Sequence, residues 1–312
     1  MKQEKKKEMS DKSKKLSRRE FITRGSTLAA GVIGFASAAC SGSQATSSQS
    51  PSESAMKFGL VTYLWGKDWN LPALIRNCQR AGVYGVELRV DHAHGVSTEL
   101  SSRERSEVRM RFEQSPVELV GFGTNYAFHY TDKEELQASL QGAKEYVRLS
   151  YELGGGGVKV KPNALPDDVP VEQTIKQIGE SLNDLGEYAG SFGQEIRVEV
   201  HGRETSRLPI MKRIFDVVDQ PSVGVCWNCN DADLEGEGLE HNFNLVKNDF
   251  SQIIHIRELN QGDYPYQQLF NLMAGMNYDG WILLEARTNP GDRIKALEEQ
   301  KALFKEMITK TG

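Results

Sequence analysis

The chain has 312 residues, 38% of them hydrophobic and 26% charged, with a formal net charge of −5. Its first 39 residues carry ten Lys/Arg against four Asp/Glu, a net +6, so the remainder carries −11; an acidic body of that kind excludes recognition of a phosphate backbone and with it a nucleic-acid partner. Four cysteines over this length exclude a disulfide framework.

The first segment, residues 1–40, has the three parts of a cleavable export signal. A Lys/Arg-rich stretch contains Ser17-Arg18-Arg19-Glu20-Phe21-Ile22, an apolar run covers 27–36, and small residues precede Cys40. The paired arginines resemble a twin-arginine signal. The small residues resemble a lipobox in which Ser37 stands where Leu is usual, and cleavage there would leave Cys40 to carry lipid. The apolar run is shorter than the roughly 20 residues a membrane span needs. The expected location is therefore periplasmic, with membrane contact only through the signal or a lipid anchor. Residues 41–55 form a Ser-rich linker with nothing to bury. Residues 56–312, about 255 in number, match the usual size of one (β/α)8 TIM barrel.

Within that domain short β-rich runs alternate with helical patterns. The strands predicted are Lys57–Tyr63, Gly85–Val90, Glu118–Gly123, Gly157–Lys161, Glu195–His201, Val223–Asn228, Ile253–Arg257 and Trp281–Ala286. Among the helical patterns are Glu134–Leu153, Val171–Ser191, Leu208–Val218 and Tyr264–Met276. Eight strands each followed by a helix predict parallel pairing with the helices outside. Cys226-Trp227-Asn228-Cys229 has C-x-x-C spacing but continues a strand pattern, which would hold the two sulfurs roughly 10 Å apart and unable to bond.

The strand faces say more than the strand count. Val86-Glu87-Leu88-Arg89, Val158-Lys159-Val160-Lys161, Ile196-Arg197-Val198-Glu199-Val200-His201, Ile254-His255-Ile256-Arg257 and Leu284-Glu285-Ala286-Arg287 are apolar at every second residue and charged or His between. Both faces of a parallel α/β sheet are buried. The apolar face packs on helices, so the charged face points into the barrel and toward its mouth, where barrel active sites lie. Charge in such a place must be paired, metal-bound or used.

Glu199, Asn228, His255 and Glu285 stand near the ends of four successive strands, about one βα unit apart, so the strands aim them at one point. Two carboxylates, an imidazole and an amide oxygen are sensible ligands for one divalent ion: Mn²⁺, Mg²⁺, Co²⁺ or Zn²⁺. The segments Ile196–His201, Val223–Asp231, Ile253–Asn260 and Trp281–Arg287 resemble the xylose isomerase-like TIM-barrel superfamily, in particular its sugar phosphate isomerase/epimerase branch. In ketose 3-epimerases and inosose dehydratases of that superfamily, a Glu, Asp, His, Glu set holds one metal, and the two Glu exchange the proton of a substrate carbon. The resemblance implies those roles for Glu199, Asn228, His255 and Glu285. Asn228 departs from the usual Asp and removes one ligand charge, which lowers the expected metal affinity. Cys229-Asn230-Asp231 also lacks the His that usually follows.

Other polar residues gather at the same predicted mouth. Lys161 and His201 are candidate proton-transfer groups, since a lysine desolvated among cations can act as a base. Lys161 could instead pair with Glu87 or Glu199. Arg89, Arg257 and Arg287 either hold substrate oxygens or only neutralise carboxylates. His92, His94, His129 and Asn163 are candidate substrate contacts in loops after strands two, three and four, where an ordinary loop role is the alternative. Together these residues predict a metal-assisted isomerase or epimerase of an unphosphorylated carbohydrate or polyol, working through an enediolate with Glu199, Glu285 or Lys161 as base. A lyase or dehydratase shares the first half of that reaction, and a non-catalytic sugar-binding lipoprotein is the alternative outside enzymes. Export argues against a sugar phosphate, which would be retained in the cytoplasm.

Overall fold

The computed structural model describes residues 55–311, so the signal segment, Cys40 and the linker up to Ser54 lie outside the described residues. Eight strands form one parallel sheet: β1 (Lys57–Val61), β2 (Gly85–Arg89), β3 (Glu118–Ala127), β4 (Gly157–Lys161), β6 (Glu195–Glu199), β8 (Val223–Cys226), β9 (Ile253–Ile256) and β10 (Trp281–Leu284). Their spatial order is β8-β6-β4-β3-β2-β1-β10-β9. The remaining seam, between β8 and β9, is joined by backbone bonds. Ser251 N–H donates to Val225 O (2.8 Å) and His255 N–H to Trp227 O (2.8 Å). A short parallel pair, β5 (Asn163–Ala164) with β7 (Gly202–Arg203), sits just beyond the ends of β4 and β6.

Eight helices cover the outside: α1 (Leu71–Ala81), α2 (Ser102–Glu113), α3 (Lys133–Leu153), α4 (Val171–Ser191), α5 (Leu208–Phe215), α6 (Leu239–Val246), α7 (Tyr266–Gly275) and α8 (Arg293–Thr309). Local sequence accounts for their limits. The Asn70 side chain accepts from Ala73 N–H to start α1, and Gly82 ends it in the left-handed conformation (φ 65°). Leu71, Leu74, Ile75, Cys78 and Ala81 are its buried face, at the spacing of one helical stripe. Among the described residues no helix is long and apolar enough to cross a membrane.

Every expected strand is present, but most end one or two residues before the alternation does. β8 stops at Cys226 rather than Asn228, and Cys229 has φ 47°, so the extended reading of Cys226–Cys229 is corrected. Both thiols are free and buried. The alternation overshoots because residues at a barrel mouth still point inward after their backbone has left the ladder.

The inward face is layered. Val61, Val120, Cys226, Ile253, Trp281 and Leu283 form an apolar cluster separate from the main core between strands and helices. Two buried glycines on β3 make room for charge beside it. A Cβ on Gly123 would lie 2.5 Å from Glu87 Oε1, and one on Gly121 would lie 2.7 Å from Arg197 Nη1. Arg197 is satisfied there by Glu195 (2.9 Å) and Val120 O (2.9 Å).

Candidate active site

Above that layer lies a buried charged cluster. Lys159 on β4 is fully buried, and its ammonium donates to Glu199 Oε2 (2.5 Å) and to Thr124 O (3.0 Å). Asn228, two residues past β8, donates its amide N–H to Glu199 Oε1 (3.1 Å). Lys161 Nζ stands 4.0 Å from the same carboxylate. On β9, His255 Nε2 lies 3.3 Å from Glu87 Oε1, both side chains fully buried. Glu285, just beyond β10, completes the group: ligand atoms of Glu199, His255 and Glu285 lie within 4.8 Å of one another. The strand ladder brings about this meeting, because Glu199 registers with Cys226, and His255 with Leu283 one step below Glu285.

The electrostatics follow from burial and neighbours. Burial alone would raise the Glu199 carboxyl, but Lys159, then His255, Lys161 and His201, outweigh it and hold it well below the usual carboxylate range. Glu87 is likewise lowered, because His255 and Lys159 overcome its burial. Burial would push His255 down, yet the Cys226 sulfur and the Glu87 carboxylate lift it well above its ordinary value. Desolvation lowers Lys161 despite Glu199, with Lys159 and Arg89 acting in the same direction. Desolvation also lowers His201, whose Nδ1 is buried without a hydrogen-bond partner.

The donor set fits one divalent cation. Both nitrogens of His255 and both oxygens of Glu87 are buried without a hydrogen bond, a condition that calls for a ligand. A carboxylate behind an imidazole is also how metal sites fix a ligating ring. Two features weaken the fit: Asn228 brings no charge, and the Lys159 ammonium already neutralises Glu199.

The other expected residues divide. His201 and Lys161 join the cluster. Arg89 borders it, with Nη2 on Asn125 Oδ1 (3.0 Å) and its guanidinium 5.8 Å from the Tyr63 ring. Arg257 is half-buried, its Nε unpartnered and its Nη1 4.0 Å from Asp231. His92 bonds to Thr62 Oγ1 (3.2 Å), and His129 packs on Tyr130 with its Nδ1 unpartnered.

The last three expected residues are placed as follows. His94 has both nitrogens engaged by its own loop, on Arg89 O (2.8 Å) and Val96 N–H (3.0 Å), and burial lowers it to about 4. It holds the loop and has no nitrogen left for substrate. Asn163, in the left-handed region (φ 76°), contributes its backbone to the β5–β7 pair. Arg287 is exposed, and its backbone N–H rather than its guanidinium is engaged, on Glu258 (3.0 Å). Conversely, Lys159 and Glu87 were not singled out, although both stand on the charged faces already read. The sequence signal for their depth was position: each lies two residues before the polar residue at its strand's end.

The sequence over residues 75–307 matches the family described as xylose isomerase-like TIM barrel. No curated protein matches the chain by sequence. Among solved structures, 3-keto-D-glucoside 4-epimerase from E. coli, YcjR, superposes with a TM-score of 0.68 at 17% identity, covering 80% of this chain and 99% of that one. An L-ribulose 3-epimerase gives 0.69 at 12% identity, covering 82% and 95%. The IOLI protein, solved with a binding zinc atom, gives 0.70 at 14% identity, covering 82% and 99%.

Proposed function

The chain belongs to the xylose isomerase-like TIM-barrel family, and we propose that it is an isomerase or epimerase of an unphosphorylated carbohydrate or polyol, acting on the proton of a carbon next to a carbonyl. The observation that carries this reading is the meeting of Glu199, His255 and Glu285 within 4.8 Å at the mouth of the barrel, with Lys161 beside Glu199. Acid and base groups on one small space are what enolisation requires. That similar folds include a 3-keto-D-glucoside 4-epimerase and an L-ribulose 3-epimerase supports the substrate class.

Glu199, Asn228, His255 and Glu285 would hold one divalent ion of the Mn²⁺, Mg²⁺, Co²⁺ or Zn²⁺ type, which when bound supplies Lewis-acid polarisation of the carbonyl. The protein's own groups then divide the proton work. Glu199 is anionic and held by Lys159 and Asn228 on its two oxygens, so it is a weak base and a strong electrostatic anchor. Glu285 has no hydrogen bond or ion pair to its carboxylate among the described residues, which leaves its oxygens free to reach a substrate carbon acid. It takes the carbon-bound proton, and the C–H electrons pass into an enediolate. Lys161, with its proton loosened by desolvation, is placed to return one on the Glu199 side. Return to the opposite face gives an epimer, and to the neighbouring carbon an isomer.

The test is incubation in D₂O with candidate ketoses, inososes and 3-keto-glycosides. The product should carry deuterium at the reacting carbon, and Glu285→Gln, nearly isosteric, should lose roughly 10²–10⁴-fold in kcat. Product hydrogen that resists exchange would overturn enolisation, and loss of water from the substrate would identify an eliminating enzyme instead.

A further inference from the structure

A cavity of about 390 Å³ is bordered by the ends of β2 and β3 and by α3. Its size is within the roughly 300–1,000 Å³ of small-molecule sites. Its polar wall is Asp91, Asn125, Tyr126, Tyr130, Glu135 and Tyr146. None of the three tyrosine hydroxyls has a hydrogen-bond partner among the described residues. Asp91 has φ 63°, an uncommon conformation for a non-glycine residue and one that recurs at ligand sites. Gly142 on α3 leaves the space that the Tyr126 ring fills, since a Cβ there would overlap the ring. Asn125 joins the cavity to the barrel mouth, because its Oδ1 accepts from Arg89, which borders the catalytic cluster.

We propose that this cavity is a second carbohydrate subsite, so that the substrate is a glycoside or disaccharide whose second ring rests here while the first is processed at Glu285. The inference rests on the function proposed above. The chemistry of the wall selects the ligand. Carboxylates accept from hydroxyls, the Asn125 amide and tyrosine hydroxyls both donate and accept, and tyrosine faces take the C–H face of a pyranose. An ammonium ligand is the rival for two carboxylates among tyrosines. The Arg89 guanidinium, 3.0 Å from Asn125, disfavours a second cation. Four of these six wall residues are neutral and offer hydroxyl or amide groups, which a polyol satisfies.

The experiment is calorimetric titration of the full chain with glucose, cellobiose, maltose and glucosamine. Two or three added hydrogen bonds predict that at least one disaccharide binds about tenfold or more tighter than glucose. That preference should collapse in Asp91→Asn/Glu135→Gln, a pair of isosteric changes at exposed positions, and in Tyr126→Ala. Equal binding of glucose and both disaccharides, no saturable disaccharide binding, a preference for glucosamine over every neutral sugar, or a disaccharide preference that survives these changes would each overturn the proposal. Solvent-proton exchange on simple ketoses is read separately. Exchange without a disaccharide preference sinks this inference alone, and a disaccharide preference without exchange sinks the proposed reaction alone.

Discussion

Lys159→Met removes the one fully buried ammonium of the cluster while keeping the aliphatic stem. Its Nζ is 2.5 Å from Glu199 and 3.0 Å from Thr124 O. Removing one partner of a buried pair costs about 3–5 kcal/mol, because the other charge remains desolvated. Against a typical domain stability of about 5–15 kcal/mol the variant should fold with a markedly lower Tm. The same change should favour a divalent ion. Two unit charges 4 Å apart at an effective dielectric of 20 interact by about 4 kcal/mol, and a divalent ion doubles the charge facing the lysine. Screening and relaxation will take part of this, and we expect at least about 100-fold tighter Mn²⁺ binding, or about 2.7 kcal/mol. Calorimetric titration of Mn²⁺ and thermal unfolding with and without it measure both effects, and saturating metal should return much of the lost Tm. The double variant Lys159→Met/Glu199→Gln removes both charges. It should be more stable than the single variant and lose the gain in affinity, which keeps the test decisive if the single variant folds poorly. A stable Lys159→Met protein with unchanged metal affinity would refute Glu199 as a ligand held in check by Lys159.

Three further outcomes follow from particular residues. Asn228→Asp should tighten divalent binding by roughly tenfold, since a carboxylate replaces an amide at interior dielectric; unchanged affinity in the same titration removes Asn228 from the ligand set. Asp233, buried, with one oxygen on Tyr264 and Asn230 N–H and the other unpartnered, is raised by desolvation to about 7. The folded protein therefore keeps this proton where the unfolded chain has lost it, so its contribution is full below about pH 4 and is lost as pH rises through about 7, by about 4 kcal/mol. Asp233→Asn should flatten that part of the Tm–pH profile, and a profile parallel to the parent's would contradict the assignment. Arg18→Lys with Arg19→Lys should keep the protein in the cytoplasm on cell fractionation; unchanged periplasmic yield in a strain lacking the folded-export route would count against that signal.

The barrel is legible in the amino-acid sequence. Period-two alternation in the strands and the helical patterns at Glu134–Leu153 and Val171–Ser191 are local, legible without knowing what they touch. Because a parallel sheet is buried on both sides, the charged alternate residues of β2, β4, β6 and β9 had to face the interior. The same logic, extended to the end of β10, aims Glu199, His255 and Glu285 at one point. Which charges meet depends on the closed fold. Lys159 and Lys161 are equivalent by alternation, and the β4–β6 register sets Lys159 beside Arg197, yet it is the deeper lysine that reaches Glu199 and the outer one that stands 4.0 Å away. Glu87 could have paired with either lysine and instead faces His255 across the barrel, a partnership 168 positions apart that no local pattern encodes. His94 read as a substrate contact because loops at a barrel mouth carry function, but its nitrogens close on the backbone of its own turn. The distinction is physical: backbone propensity and face are set by neighbours in sequence, whereas pairing is set by depth and angle around a closed sheet, which exist only once the eight strands are joined.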